Sequence, residues 1–127
     1  MANTFKVKTF DGSSTAANVP MNVYTADATQ TEGTLTSTVV IGLTIANTSS
    51  SQILVDIKLA AGATVFLAKD IPIPSSSSFE YMAGNKIIME DGHSLSVISD
   101  TANSADTTLS IMEITAQCHI SVTNLQY

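Results

Sequence analysis

From Thr38 to Leu59, apolar and polar residues alternate in two bursts separated by a short polar run. The first burst reads T-V-V-I-G-L-T-I-A, with Val39, Ile41, Leu43 and Ile45 at every second position. The second reads I-L-V-D-I-K-L, with Ile53, Val55, Ile57 and Leu59 in phase and Asp56 and Lys58 among their alternates. A repeat of two places each apolar set on one face of an extended strand, the pattern of a half-buried β-sheet. The link Asn47-Thr48-Ser49-Ser50-Ser51 is polar and short, and predicts a hairpin joining the two strands.

Shorter runs of the same kind flank this pair. Thr4 to Phe10 alternates Phe5, Val7 and Thr9 against Lys6 and Lys8, which predicts an edge strand or an arm reaching a neighbour. Residues 1–19 read as that arm or edge strand, and 20–127 as a β-sandwich domain. Further strands are expected at Pro20–Thr25, Thr64–Lys69, Phe79–Met82, Lys86–Met89, Ser94–Ser99, Thr107–Thr115 and Cys118–Thr123. Ile71-Pro72-Ile73-Pro74 is excluded from a central ladder position by its two prolines, so it runs along an edge or crosses between sheets. Ala26–Thr36 and Asp100–Asp106 read as exposed loops. About eight or nine strands, with turn signals every ~8–12 residues, predict an all-β chain folded as a single antiparallel β-sandwich or jelly roll.

Two strands depart from clean alternation. In Thr107–Thr115, Leu109 and Ile111 oppose Met112 and Ile114; in Lys86–Met89, Ile87 and Met89 oppose Ile88. A strand apolar on both sides is covered on both sides. A bulge that flips the phase, the chain's own termini, or a subunit interface would each account for it. The interface reading selects Ile88, Met112 and Ile114, joined by Phe5 and Val7 from the first strand.

Composition narrows the class. The 127 residues are 44% hydrophobic but only 6% aromatic, without Trp, so the core is aliphatic. Charged residues make up 13%, about half the usual share, while Ser and Thr supply roughly a quarter of the chain. A surface so poor in charge is suited to meeting protein as well as water, and self-association is expected, with a trimer one form it could take. The net charge is −6, and the cations Lys6, Lys8, Lys58, Lys69 and Lys86 are scattered, with no Arg. Nucleic-acid binding, which needs clustered cations, is not expected. A single cysteine fits a reducing cytoplasm, and the N-terminus carries no signal-peptide pattern. No apolar run reaches the ~20 residues of a membrane helix, so no membrane partner is expected.

Reactive constellations are sparse. His93 and His119 lie in no metal-ligand spacing, and Cys118 and His119, as sequence neighbours on a strand, point to opposite faces. Glu90-Asp91-Gly92 lacks the spaced acids of a calcium loop. Phosphate-binding and nucleophile-elbow glycine motifs do not occur. The residues therefore predict no enzyme, no cofactor and no metal site.

Three segments carry a family resemblance. They are V-V-I-G-L-T-I-A-N-T-S-S-S-Q-I-L-V-D-I-K-L (Val39–Leu59), F-L-A-K-D-I-P-I-P-S-S-S-S-F-E (Phe66–Glu80) and G-N-K-I-I-M-E-D-G-H-S-L-S-V-I-S-D (Gly84–Asp100). With their G-L-x-x-A-N strand, K-x-x-P-I-P link and G-x-K-I hairpin, they resemble small virion structural proteins of tailed phages, particularly phages of cyanobacteria and other marine bacteria. The chain departs from that pattern at Ser76 or Ser77, where glycine is favoured, and at His93, where an acid is usual. The resemblance implies a part of the virion, assembled in the host cytoplasm. The leading expectation is a capsid decoration (cement) protein that contacts the major capsid protein, other virion proteins and its own copies. The alternative is a neck, tail or fibre component, as an adaptor or host-binding module.

Overall fold

The computed structural model describes residues 2–27, 34–81 and 86–116. These form β1 (Ala2–Phe10), β2 (Met21–Thr25), β3 (Thr34–Asn47), β4 (Ile53–Ala61), β5 (Ala63–Ile73), β6 (Ser78–Glu80), β7 (Ile87–Met89), β8 (Ser94–Ser99) and β9 (Ala105–Ala116). A 3-10 turn at Gly12–Ser14 is the only helical piece among the described residues. One sheet runs β1-β9-β3, with β6 and β7 both paired to β3; the other runs β2-β8-β4-β5. All pairings are antiparallel. Consecutive strands change sheet at every step except β4–β5 and β6–β7. With β6 and β7 taken as one broken strand, order 1-9-3-6 faces order 2-8-4-5, which is the jelly roll built from two Greek keys.

The core is the aliphatic layer between the sheets. Val40, Leu43, Ile45, Met89, Leu109 and Ile111 fill it from the first sheet, and Ile53, Val55, Ile57, Leu95 and Val97 from the second. Burial of each such side chain is worth about 1.5–3 kcal/mol, which is the main force holding the layers together. Met21 and Met89 lie in this core, whereas Met112 does not.

The strands flanking Asn47–Ser51 do not form a hairpin. β3 pairs with β6, β7 and β9, and β4 with β5 and β8. The chain crosses from one sheet to the other here, so the two apolar faces meet across the core instead of lying side by side. Alternation fits both arrangements equally well, because each buries one face of each strand. Asn47 makes the crossover specific. Its side-chain Nδ2 donates to the carbonyls of Ser51 (2.8 Å), Ile73 (2.9 Å) and Pro74 (3.1 Å). Its Oδ1 accepts from Ser49 N (2.9 Å) and Ser49 Oγ (2.7 Å).

Simple alternation also fails within β3. The register against β9 shifts between Val40 and Gly42, so Ile41 is an extra residue. Val40, Leu43 and Ile45 are buried, while Ile41 is exposed and Val39 half-buried, so the four alternating residues do not share a face. Thr34–Thr36 belong to β3 and Ala105–Asp106 to β9, so both loops are shorter than their polar sequences indicate. Thr64–Lys69 and Ile71-Pro72-Ile73 of the proline segment lie in one strand, β5, at the edge of its sheet, where a proline is tolerated. Met82 and the strand expected at Cys118–Thr123 lie outside the described residues.

Candidate functional site

The first sheet has an inner face against the core and an outer face with no protein layer over it among the described residues. Strand register assembles that outer face row by row. Asn3 lies beside Ile114 and Ser37; Phe5 beside Met112, then Val39, then Ile88; Val7 beside Ser110 and Gly42; Thr9 beside Thr108 and Thr44. The second row is apolar across four strands. Phe5 is 71% exposed, Val7 62%, Ile88 57% and the bulged Ile41 38%. Met112 and Ile114 are half-buried between them. No side chain in the first three of these rows carries a charge; the fourth ends on Glu80 beside Thr44, and Asp106 stands at the rim. From strand spacing and rise the patch measures about 400 Å², the size at which an apolar patch marks an association surface.

Phe5, Val7, Ile88, Met112 and Ile114, the five residues singled out from sequence, thus share one face. A bulge does not explain the apolar residues on both sides of β9, because its register with β1 runs unbroken from Ala2–Thr115 to Phe10–Thr107. The extra residues, Thr36 and Ile41, belong to β3. Nor does β7 shift against β3. The contrast with the second sheet is informative. There the exposed Phe66 has Lys58 Nζ 4.9 Å and Lys69 Nζ 5.1 Å from its ring centroid, so local cations cover it.

A buried polar cluster lies under the patch. Glu113, on the inner side of β9, forms an ion pair with Lys6 of β1 (Oε1–Nζ 2.8 Å). The Tyr24 hydroxyl of β2 donates to Glu113 Oε2 (2.7 Å) and lies 2.8 Å from Thr38 Oγ1 of β3. The cluster ties the edge strand β1 to β9 and joins the two sheets at this end. Its sequence signal is parity: Glu113 is in phase with Leu109 and Ile111, which puts an acid on the core side of its strand.

Burial alone would raise the Glu113 carboxyl. The hydrogen bonds from Lys6 and Tyr24, with the charges of Lys6 and Lys8, outweigh it and hold the group below its ordinary 4.5. Burial, with smaller contributions from neighbouring Glu113, pushes the Tyr24 phenol up to about 12. A carboxyl lowered in the folded state stabilises fully above its unfolded value and loses that contribution as pH falls through the folded value. A phenol raised in the folded state stabilises below its unfolded value of 10.0 and loses that contribution as pH rises toward about 12. Thermal unfolding followed from pH 3 to pH 11 is therefore expected to show losses at both ends, and Glu113→Gln to flatten the acid limb. An acid limb of unchanged slope in that variant would remove Glu113 as its source.

The remaining sequence candidates have structural tasks or lie outside the described residues. His93 Nδ1 accepts from the Glu90 backbone N–H (3.0 Å), and His93 N–H donates to the Glu90 carbonyl (3.0 Å), which closes their turn. Cys118 and His119 fall outside the described residues. Among those described, no three His, Cys, Asp or Glu side chains gather as a metal-binding group.

The fold and face define a jelly-roll domain with a partly apolar sheet surface whose central rows carry no charge. No family model and no curated protein matches the chain. Among solved structures it is similar to a chain in the structure of infectious bursal disease virus, Gx strain, at 12% identity and a TM-score of 0.32. That match covers 96% of this chain and 45% of the viral one, so the chain spans less than half the length of its structural neighbour.

Proposed function

We propose that the chain is a structural protein of a phage virion that decorates the head as a cement protein, bridging subunits of the major capsid protein and contacting its own copies. The observation that carries this reading is the outer face of the first sheet, where Phe5, Val7, Ile88, Met112 and Ile114 form one uncharged surface backed by the buried core. The sequence resemblance over residues 38–115 supports it, and jelly rolls recur in capsid domains, although they also build lectins and cupins. The work is mechanical: apolar area covered at each contact, repeated many times over a shell, opposes outward pressure through multivalency. It calls for no reactive group, cofactor, nucleic acid or membrane. A net charge of −6 keeps the free surface from trapping nucleic acid.

Two measurements test the reading. Quantitative gel densitometry of purified particles is expected to give hundreds of copies; six, twelve or a few dozen would assign the chain to the neck, tail or fibre instead. Ile88→Lys is expected to leave the melting temperature within a few degrees, since the side chain is 57% exposed. The same change is expected to lower retention on the particle at least tenfold. Full retention by the folded variant would take Ile88 out of the contact.

A further inference from the structure

We propose that β1 pairs antiparallel with β1 of a second copy across a two-fold axis, Phe5 opposite Phe5, so that the two first sheets join into one. The inference rests on the self-association in the reading above and adds the edge and the register by which it occurs.

The edges of the two sheets are not equivalent. Sheet edges invite pairing, and proteins blunt them with prolines, bulges or short strands. β5 carries Pro72, two register shifts and Asp70 in the left-handed region at φ 55°. β2 has five residues and a register shift. β6 and β7 have three residues each. β1 alone has nine residues, no proline and no shift against its neighbour. Its one remaining guard is the pair Lys6 and Lys8, and Lys6 is drawn into the ion pair with Glu113.

Those lysines select the register. A two-fold axis normal to the sheet keeps outward residues outward, so each allowed register is centred on one residue of β1. A centre at Lys6 or Lys8 sets that lysine against its own copy, and a centre at Val7 sets Lys6 against Lys8. Like charges directly opposite are destabilising. Centres at Thr4 and Thr9 avoid this but pair only residues 2–6 and 8–10. A centre at Phe5 pairs residues 2–8 and sets Lys6 against Thr4 and Val7 against Asn3. It also aligns the apolar row, so Ile88–Val39–Met112–Phe5 continues into its copy. The joined patch then covers about 800 Å², the contribution of one partner to a stable interface, where a single copy offers half of that.

Cysteine scanning in a Cys118→Ser background tests both edge and register. Phe5→Cys is expected to oxidise to a dimer of twice the 13.3 kDa chain mass, while Lys6→Cys and Val7→Cys stay largely single. Mixing the Asn3→Cys and Val7→Cys chains, which keep Phe5, is expected to give the mixed disulfide. Preferential cross-linking of Lys6→Cys or Val7→Cys alone would overturn the register. A dimer or trimer by light scattering with no cross-link at any β1 position would overturn the edge while leaving self-association intact. A monomer at every concentration, with neither cross-link nor assembly, would sink the pairing and self-association together, leaving the copy number on particles to decide the virion reading.

Discussion

Asn47→Ala is expected to destabilise the fold by about 2–3 kcal/mol, a fall in melting temperature on the order of 10 °C for a chain of this size. The side chain is buried and its single amide group reaches three separate carbonyls at the sheet crossover: Ser51 at the end of the serine link, and Ile73 and Pro74 in the proline segment. With alanine the Ser51 and Pro74 carbonyls keep bonds from Ser49 Oγ (2.9 Å) and Ser77 Oγ (2.8 Å), whereas the Ile73 carbonyl, in the buried part of the site, loses the amide donor. The Ser49 N–H loses its acceptor, Asn47 Oδ1, while the Ser49 hydroxyl still has the Ser51 carbonyl at 2.9 Å. Asn47→Asp keeps the shape but turns a donor into a second acceptor facing three carbonyl oxygens, and is expected to be at least as damaging. Ser49→Ala, at a half-exposed position, is expected to cost only about 1 kcal/mol. Chemical denaturation of the three variants would give this order. A cost below about 1 kcal/mol for Asn47→Ala would mean that packing alone sets the crossover.

The same residue shows where sequence reading stops. Alternation located nearly every strand, because each buries one face and a period of two records that directly. It could not show which buried faces meet. Ile53, Val55 and Ile57 need cover, and a neighbour in the sheet or a layer across the core leaves the same trace. The information that separates these lies in Asn47, whose side chain selects the arch. That asparagine ends the G-L-x-x-A-N segment, and its contacts reach the proline segment that follows β5's start in the sequence. Motif and fold are linked here by hydrogen bonds. The β3 bulge was hidden for a different reason: in V-V-I-G-L every residue but Gly42 is apolar, so one extra residue leaves no break in the pattern. The outer face was more legible. Met112 and Ile114 could not share a side with Ile111, and a strand without a bulge must show them to something. Glu113 has the same parity as the core residues of β9, but an acid is ordinarily a surface residue, so parity alone does not reveal its buried ion pair.

Gly12→Ala is expected to rival the loss at Asn47, about 3 kcal/mol or more, although Gly12 has an ordinary backbone conformation. What it lacks is room. A Cβ at this position would overlap the carbonyl oxygen of Ala105 and lie 2.9 Å from the carbonyl carbon and 3.3 Å from Met21 Sδ. Ala105 is backbone at the start of β9 and cannot rotate away. The 3-10 turn would have to lift off β9, and with it the hydrogen bond from Gly12 N–H to Asp106 Oδ1 (2.9 Å). That turn follows directly on β1, so the far end of the edge strand would loosen as well. Gly62 and Gly92 give the reverse case: both sit in the left-handed region, at φ 86° and 90°, with nothing within 4 Å of an added Cβ. Alanine there carries only the conformational cost, about 1 kcal/mol. Thermal melts of the three variants are therefore expected to place Gly12→Ala well below the other two. Hydrogen exchange is expected to locate its damage in β1 and the first residues of β9. If Gly62→Ala or Gly92→Ala proves the more harmful, backbone conformation outweighs close packing in this fold, and the tight contact between the turn and β9 does not anchor the edge strand.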